Sequence, residues 1–195
     1  MTLPDKLTIS RIVLTFVLMF FLFLPGLMAK VLALVIFIAA SFTDFLDGFI
    51  AKGRNISTDF GKLMDPIADK ILVLASFVAF VELELIPAWM VVIIILREVT
   101  ITGLRAFALT RGKVIAADEA GKHKMVSQVA AILAILLFLV FREAGIKVFG
   151  FWNQKFEAIY KDTIFGFMFV TVLLTLVSGI DYLIKNRGVY NEKAD

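Results

Sequence analysis

The chain contains no cysteine, which excludes disulfides and thiolate-held metal sites. Histidine is almost as scarce: His123 is the only one, and among charged neighbours in a polar stretch it is expected at the surface rather than as a ligand. Charge is thin too, with 19% of residues charged against 61% hydrophobic and a mean hydropathy of +0.94. A soluble domain of that composition would expose large apolar patches. Water-soluble globular classes are therefore excluded, and an all-α integral membrane protein is expected. Internal repeats and low-complexity tracts are missing. So are the short apolar core and small-residue cleavage site of a signal peptide. No nucleic-acid partner is expected. The 195 residues suit one membrane domain, 1–195, without room for a second globular unit.

What is present is a series of apolar runs. About 20 residues span a bilayer as a helix, and six runs approach that length: Ile12–Ala29, Val31–Ala51, Asp59 or Phe60 to Val81, Ile86–Leu109, Met125–Phe141 and Thr163–Ile184. The first eleven residues read as a short interfacial helix ahead of the first span. Arg142 to Asp162, with Trp152 and Tyr160, reads as a longer segment along the interface. Pro25-Gly26 and Pro87 punctuate the turns. Pro66 falls inside the first two turns of the third span, where a polar cavity can re-satisfy the backbone group it frees.

Six spans put both termini on one side. Lys and Arg then assort thirteen to that side and five to the other, so the termini are expected in the cytoplasm, with the protein in the cell (inner) membrane. The polar halves of spans two to five fall on the same side. Charges at membrane depth cost about 2.5–3.5 kcal/mol each on insertion scales, so these residues are expected to line a water-filled cavity open to the cytoplasm.

The densest polar feature is DFLDGFIAKGRNISTDFGKLMDPIAD, Asp44 to Asp69. Asp44 and Asp47 stand three apart, and Gly61, Asp65 and Asp69 stand four apart, so each set shares a helix face. Two antiparallel helices joined by Lys52 to Asp59 would gather the four carboxylates. Like charges in a partly apolar site resist ionisation unless cations neutralise them. Oxygen-only donors suit Mg²⁺, Mn²⁺ or Ca²⁺ rather than zinc or copper. Gly48 and Ala51 lack bulk, so a phosphate can approach the backbone closely. An ion network with Lys62 and Lys70, without metal, is the plainer alternative.

Written out, the pattern is D-x2-D-G-x2-A-K-x8-G-x3-D-x3-D. It resembles the signature of the CDP-alcohol phosphotransferase family, with Lys52 where the family has Arg and with Arg54 as an alternative guanidinium. Pro4, Leu7, Thr8 and Arg11 match a further family element, P-N-x-L-T-x-x-R, with Asp5 in place of Asn. The resemblance covers nearly the whole chain. It implies that Asp44, Asp47, Asp65 and Asp69 hold two divalent ions, Mg²⁺ or Mn²⁺. Asp69 would also act as general base on an alcohol that attacks the β-phosphorus of CDP-diacylglycerol and expels CMP. Asp44, Gly48, Ala51, Lys52, Arg54 and Gly61 would contact CDP-diacylglycerol.

Arg97 and Arg105 are eight residues apart, about 80° around a helix, so both can reach one cavity. Lys122 and Lys124 begin the next span on the same side. Arginine clusters select phosphate, although snorkelling positive-inside residues would give the same pattern. Glu98 is expected to pair with an Arg of its own helix. REVTITGLR and AGKHKM resemble the branch of the family that uses glycerol 3-phosphate, which implies Thr8, Arg97, Arg105 and Lys122 as its contacts. Related acceptors (serine, inositol phosphate, phosphatidylglycerol) are the alternatives within the family, and a divalent-cation transporter is the alternative outside it. The expected partners are the two substrates and the bilayer, and a homodimer is compatible with this reading.

Overall fold

The computed structural model describes residues 3–51, 59–111, 119–150 and 152–187. Among them are six α-helices: α1 (Leu3–Phe23), α2 (Leu27–Ala51), α3 (Asp59–Glu82), α4 (Ala88–Thr110), α5 (Glu119–Ala144) and α6 (Gln154–Lys185). A π-helical turn, Gly145–Phe149, extends α5. No strand occurs among the described residues.

One expectation is corrected at the start. α1 runs unbroken from Leu3, so the first eleven residues do not form a separate interfacial helix. Pro4 sits in the opening turn, where its missing N–H removes no helical bond. Beyond it no Pro or Gly interrupts the helix before Pro25. Thr8, Arg11, Thr15, Leu18 and Leu22 recur at helical spacing and are all buried, so one continuous stripe of α1, polar then apolar, faces the bundle. The segment expected along the interface, Arg142 to Asp162, holds the end of α5, the π turn and the start of α6.

The turns follow from local chemistry. Gly26 adopts φ +109, in the left-handed region that glycine tolerates. Just beyond it, Lys30 turns back and donates through Nζ to the carbonyls of Leu22 and Leu24, orphan acceptors at the end of α1. Between α3 and α4, Glu84 takes φ 55, and Pro87 enters α4 with the extended backbone of a helix N-cap. Gly150, at φ 64, ends the π turn. Asn153 then caps α6, its side chain accepting from the N–H groups of Lys155 and Phe156 at 3.0 and 3.1 Å.

One apolar core draws on all six helices, with Leu22, Phe37, Phe80, Ile94, Ile132 and Met168 at its centre. α1 packs on α2 and α3, and α5 packs on the same two helices. α4 lies against α3 and α6, and α6 returns to α5. The bundle surface is strongly apolar: Phe16, Phe20, Val99, Phe167, Val177 and Ile180 are all exposed. Exposed apolar area on this scale belongs in lipid. Among the described residues, Lys124–Val148 and Gln154–Lys185 are long and apolar enough to cross a bilayer, and Thr8–Phe23 and Leu27–Thr43 are shorter apolar helices. The chain is a membrane protein.

Lys30 gives a direct test of the first turn. Lys30→Met should destabilise the detergent-solubilised protein by about 1–3 kcal/mol, because two carbonyls lose a charged donor. Lys155→Met, an exposed lysine at the same end, should change stability by less than about 0.5 kcal/mol. Equal effects in thermal unfolding would show that the cap contributes nothing.

Candidate active site

Four contacts between helices define one end of the bundle. Lys70 of α3 donates to Thr102 of α4. Glu98 of α4 receives Lys124 of α5. Arg97 of α4 donates through Nη2 to Ser178 Oγ of α6 at 2.8 Å. Arg105 of α4 donates through Nε to Tyr182 Oη of α6 at 3.3 Å. The middle of α3, the second half of α4, the start of α5 and the end of α6 are therefore joined by these contacts. The last two contacts advance in the same direction along both helices, so α4 and α6 run parallel.

Asp44, Asp47, Gly48 and Ala51 fall on the last two turns of α2, next to the connection into α3. Gly61, Asp65 and Asp69 fall on the first three turns of α3, the end that meets the polar half of α4. Their helices are described, but their side chains lie outside the described residues, as do Lys52 and Arg54 altogether. Lys122 is in the first turn of α5, its side chain likewise outside. Thr8 is fully buried on α1. The donor chemistry of the four acids, all oxygen and without cysteine, fits a hard divalent cation.

The described cations are fixed in place. The Glu98 carboxylate accepts from Lys124, and Arg97 Nη1 stands 3.4 Å from the same oxygen. The expected pairing of Glu98 within its own helix is thus present as the longer contact, and the buried partner is Lys124 of α5. Arg97 is engaged at both terminal nitrogens, toward Ser178 and Glu98. α4 and α6 approach closely beside it: a Cβ on Gly179 would stand 3.1 Å from Arg97 Cγ. Arg105 lies over the Tyr182 ring, its guanidinium carbon 5.3 Å from the ring centroid. Sequence reasoning missed Ser178 and Tyr182. Thr171, Thr175, Ser178 and Tyr182 fall on one helical stripe and are all buried, which is the polar periodicity that an average over an apolar span conceals.

Residues 1–177 match the family described as CDP-alcohol phosphatidyltransferase. The chain belongs to that family. It is 37% identical over 196 residues to the CDP-diacylglycerol--glycerol-3-phosphate 3-phosphatidyltransferase of Bacillus subtilis (strain 168), covering 94% of each chain. To the protein of the same name from Rickettsia typhi it is 30% identical over 181 residues, 92% of this chain and 94% of the relative. To the probable phosphatidylglycerophosphate synthase of Mycobacterium tuberculosis (strain ATCC 25618 / H37Rv) it is 33% identical over 184 residues, 93% of this chain and 79% of the relative. In this CDP-alcohol phosphatidyltransferase, Asp44 and Asp47 lie on α2 and Asp65 and Asp69 on α3, helices that α1 and α5 both flank.

The Glu98–Lys124 pair should be structural as well as electrostatic. Removing one partner of a buried pair costs about 3–5 kcal/mol, because the other charge is left uncompensated. Lys124→Met should therefore lower the unfolding temperature sharply, and adding Glu98→Gln should recover part of the loss. Additive effects of the two substitutions would show that the pair is not coupled.

Proposed function

We propose that this chain transfers the phosphatidyl group of CDP-diacylglycerol to glycerol 3-phosphate, giving phosphatidylglycerol phosphate and CMP. What supports the reading is the gathering of polar helix ends at one end of a lipid-facing bundle, the end carrying the family's acids. Relatives aligned over more than nine-tenths of the chain bear the name of this transferase.

Asp44, Asp47, Asp65 and Asp69 would hold two divalent ions, Mg²⁺ or Mn²⁺, which neutralise the pyrophosphate and polarise the bond to be broken. Asp69 takes the proton from a hydroxyl of glycerol 3-phosphate. The hydroxyl oxygen bonds to the β-phosphorus of CDP-diacylglycerol, the bridging P–O bond breaks, and CMP leaves with its electron pair. Gly48, Ala51 and Gly61 leave room for the nucleotide, and Lys52 and Arg54 supply positive charge beside it. Arg105 and Lys122 receive the acceptor phosphate, with Thr8 at the same end. Arg97, its fork already engaged by Ser178 and Glu98, stands behind them.

The same reading has six spans, both termini in the cytoplasm and the site open to the cytoplasm. The parallel course of α4 and α6 fits an alternating series, in which even-numbered spans run the same way.

Release of CMP by purified protein across a panel of acceptors tests the chemistry. Glycerol 3-phosphate should support it, glycerol and serine poorly. Arg105→Ala should raise the KM for glycerol 3-phosphate about ten- to hundredfold, the effect of losing a charge-assisted phosphate contact, with little change for CDP-diacylglycerol. Chelation should abolish turnover and Mg²⁺ or Mn²⁺ restore it, whereas activity in excess chelator would remove the metal from the reading. Serine as fast as glycerol 3-phosphate would overturn the acceptor assignment, and no CMP release with any acceptor would favour ion transport. For topology, a reporter after Asp195 should be cytoplasmic and a tag near Asn153 accessible from outside. Finding both on one side would remove a span.

A further inference from the structure

The terminal half of α6 carries none of the family's signature residues, yet it holds both arginines of α4. Tyr182 is almost completely buried, with 2% of its surface exposed. Its hydroxyl accepts from Arg105 Nε at 3.3 Å, and its ring lies under the guanidinium at 5.3 Å. One side chain thus engages the same cation at an edge and at a face.

That combination orients the fork. A guanidinium can grip two oxygens through the pair formed by its two terminal nitrogens, or through Nε and one of them. A hydroxyl on Nε occupies the second edge. Among the described residues neither terminal nitrogen of Arg105 has a hydrogen-bond partner, whereas both terminal nitrogens of Arg97 do. The ring, with the guanidinium carbon 5.3 Å from its centroid, adds a cation–π attraction that further holds the side chain. Ordering a long side chain before the ligand arrives removes part of the entropy cost of binding it.

The register behind this is set elsewhere. Gly179 lets α6 approach Arg97 to a distance that a Cβ would crowd, and Arg97 bonds to the adjacent Ser178. Tyr182 then follows Ser178 by one turn of the parallel helix. Arg105, eight residues beyond Arg97, reaches back toward the start of its own helix, the direction in which helical side chains lean.

We infer that Tyr182 is a positioning residue for the acceptor phosphate, holding Arg105 so that its two terminal nitrogens face glycerol 3-phosphate. The inference rests on the reading of Arg105 as an acceptor contact. It goes beyond that reading in giving α6, through a residue that need not touch either substrate, control over acceptor affinity.

The test is a double-mutant cycle on the full-length protein in detergent, with KM and kcat measured for each substrate. Tyr182→Phe keeps the ring and removes only the hydroxyl. It should raise the KM for glycerol 3-phosphate about three- to tenfold, the scale of one hydrogen bond, and leave the KM for CDP-diacylglycerol and the unfolding temperature unchanged. Tyr182→Leu, which removes the ring as well, should raise it further. In an Arg105→Ala background, Tyr182→Phe should have no additional effect. An undiminished effect in that background, or none in the wild type, would overturn the positioning role and leave Arg105 as an acceptor contact. A fall in kcat and unfolding temperature with no selective change in KM would make Tyr182 merely structural. An unchanged KM in Arg105→Ala itself would overturn the acceptor reading and the inference with it.

Discussion

The buried carboxylate of Glu98 is the constraint from which the polar end of this bundle follows. A lone charge at that depth would be unstable in an apolar medium, so it must be met by cations from within the protein. Lys124 meets it from α5, and Arg97 flanks it from the next position on α4. Arg97 in turn reaches Ser178 on α6. One acid thereby ties three helices together at a common level. A hydrophobic core alone would let these helices slide, because lipid and side chains are equally apolar. The ionic tie fixes their register, and register is what a site built from several helices requires.

Much of the fold was legible because its signals are long and repetitive. Apolar runs and Pro-Gly punctuation located α2, α3 and α4 to within a few residues of the structure. The ends of helices were less legible. Arg11 reads as an interfacial charge by composition, yet it is among the largest fully buried side chains, because its stripe also contains Thr8, Thr15 and Leu18. Average polarity placed it outside, and periodicity would have placed it inside.

The site divides in the same way. Signature acids are legible in one dimension because their spacing is local to two consecutive helices. Lys124 and Glu98 are 26 positions apart and Arg105 and Tyr182 are 77 apart, and nothing in the sequence marks these separations as contacts. Tyr182 in particular lies in a run that reads as an ordinary span. The motif's spacing is readable along the chain, while the contacts of Arg97 with Ser178 and of Arg105 with Tyr182 emerge only when α4 and α6 are laid side by side.

The opposite end of the bundle shows how differently the same residue types can be used. Lys30 is turned inward onto carbonyls of α1, Arg142 is joined to Glu157 at 3.0 Å, and Lys147 is joined to Glu143 at 3.3 Å. Trp152 Nε1 donates to the same Glu157 oxygen at 2.8 Å. Arg142 and Lys147 are thus neutralised by carboxylates, while Lys30 keeps its charge and directs its donors to backbone carbonyls. Anionic lipid headgroups are drawn by unpaired basic charge within a Debye length. At this face Arg142 and Lys147 already meet carboxylates, so the basic charge that a headgroup can meet there comes from exposed residues such as Lys155.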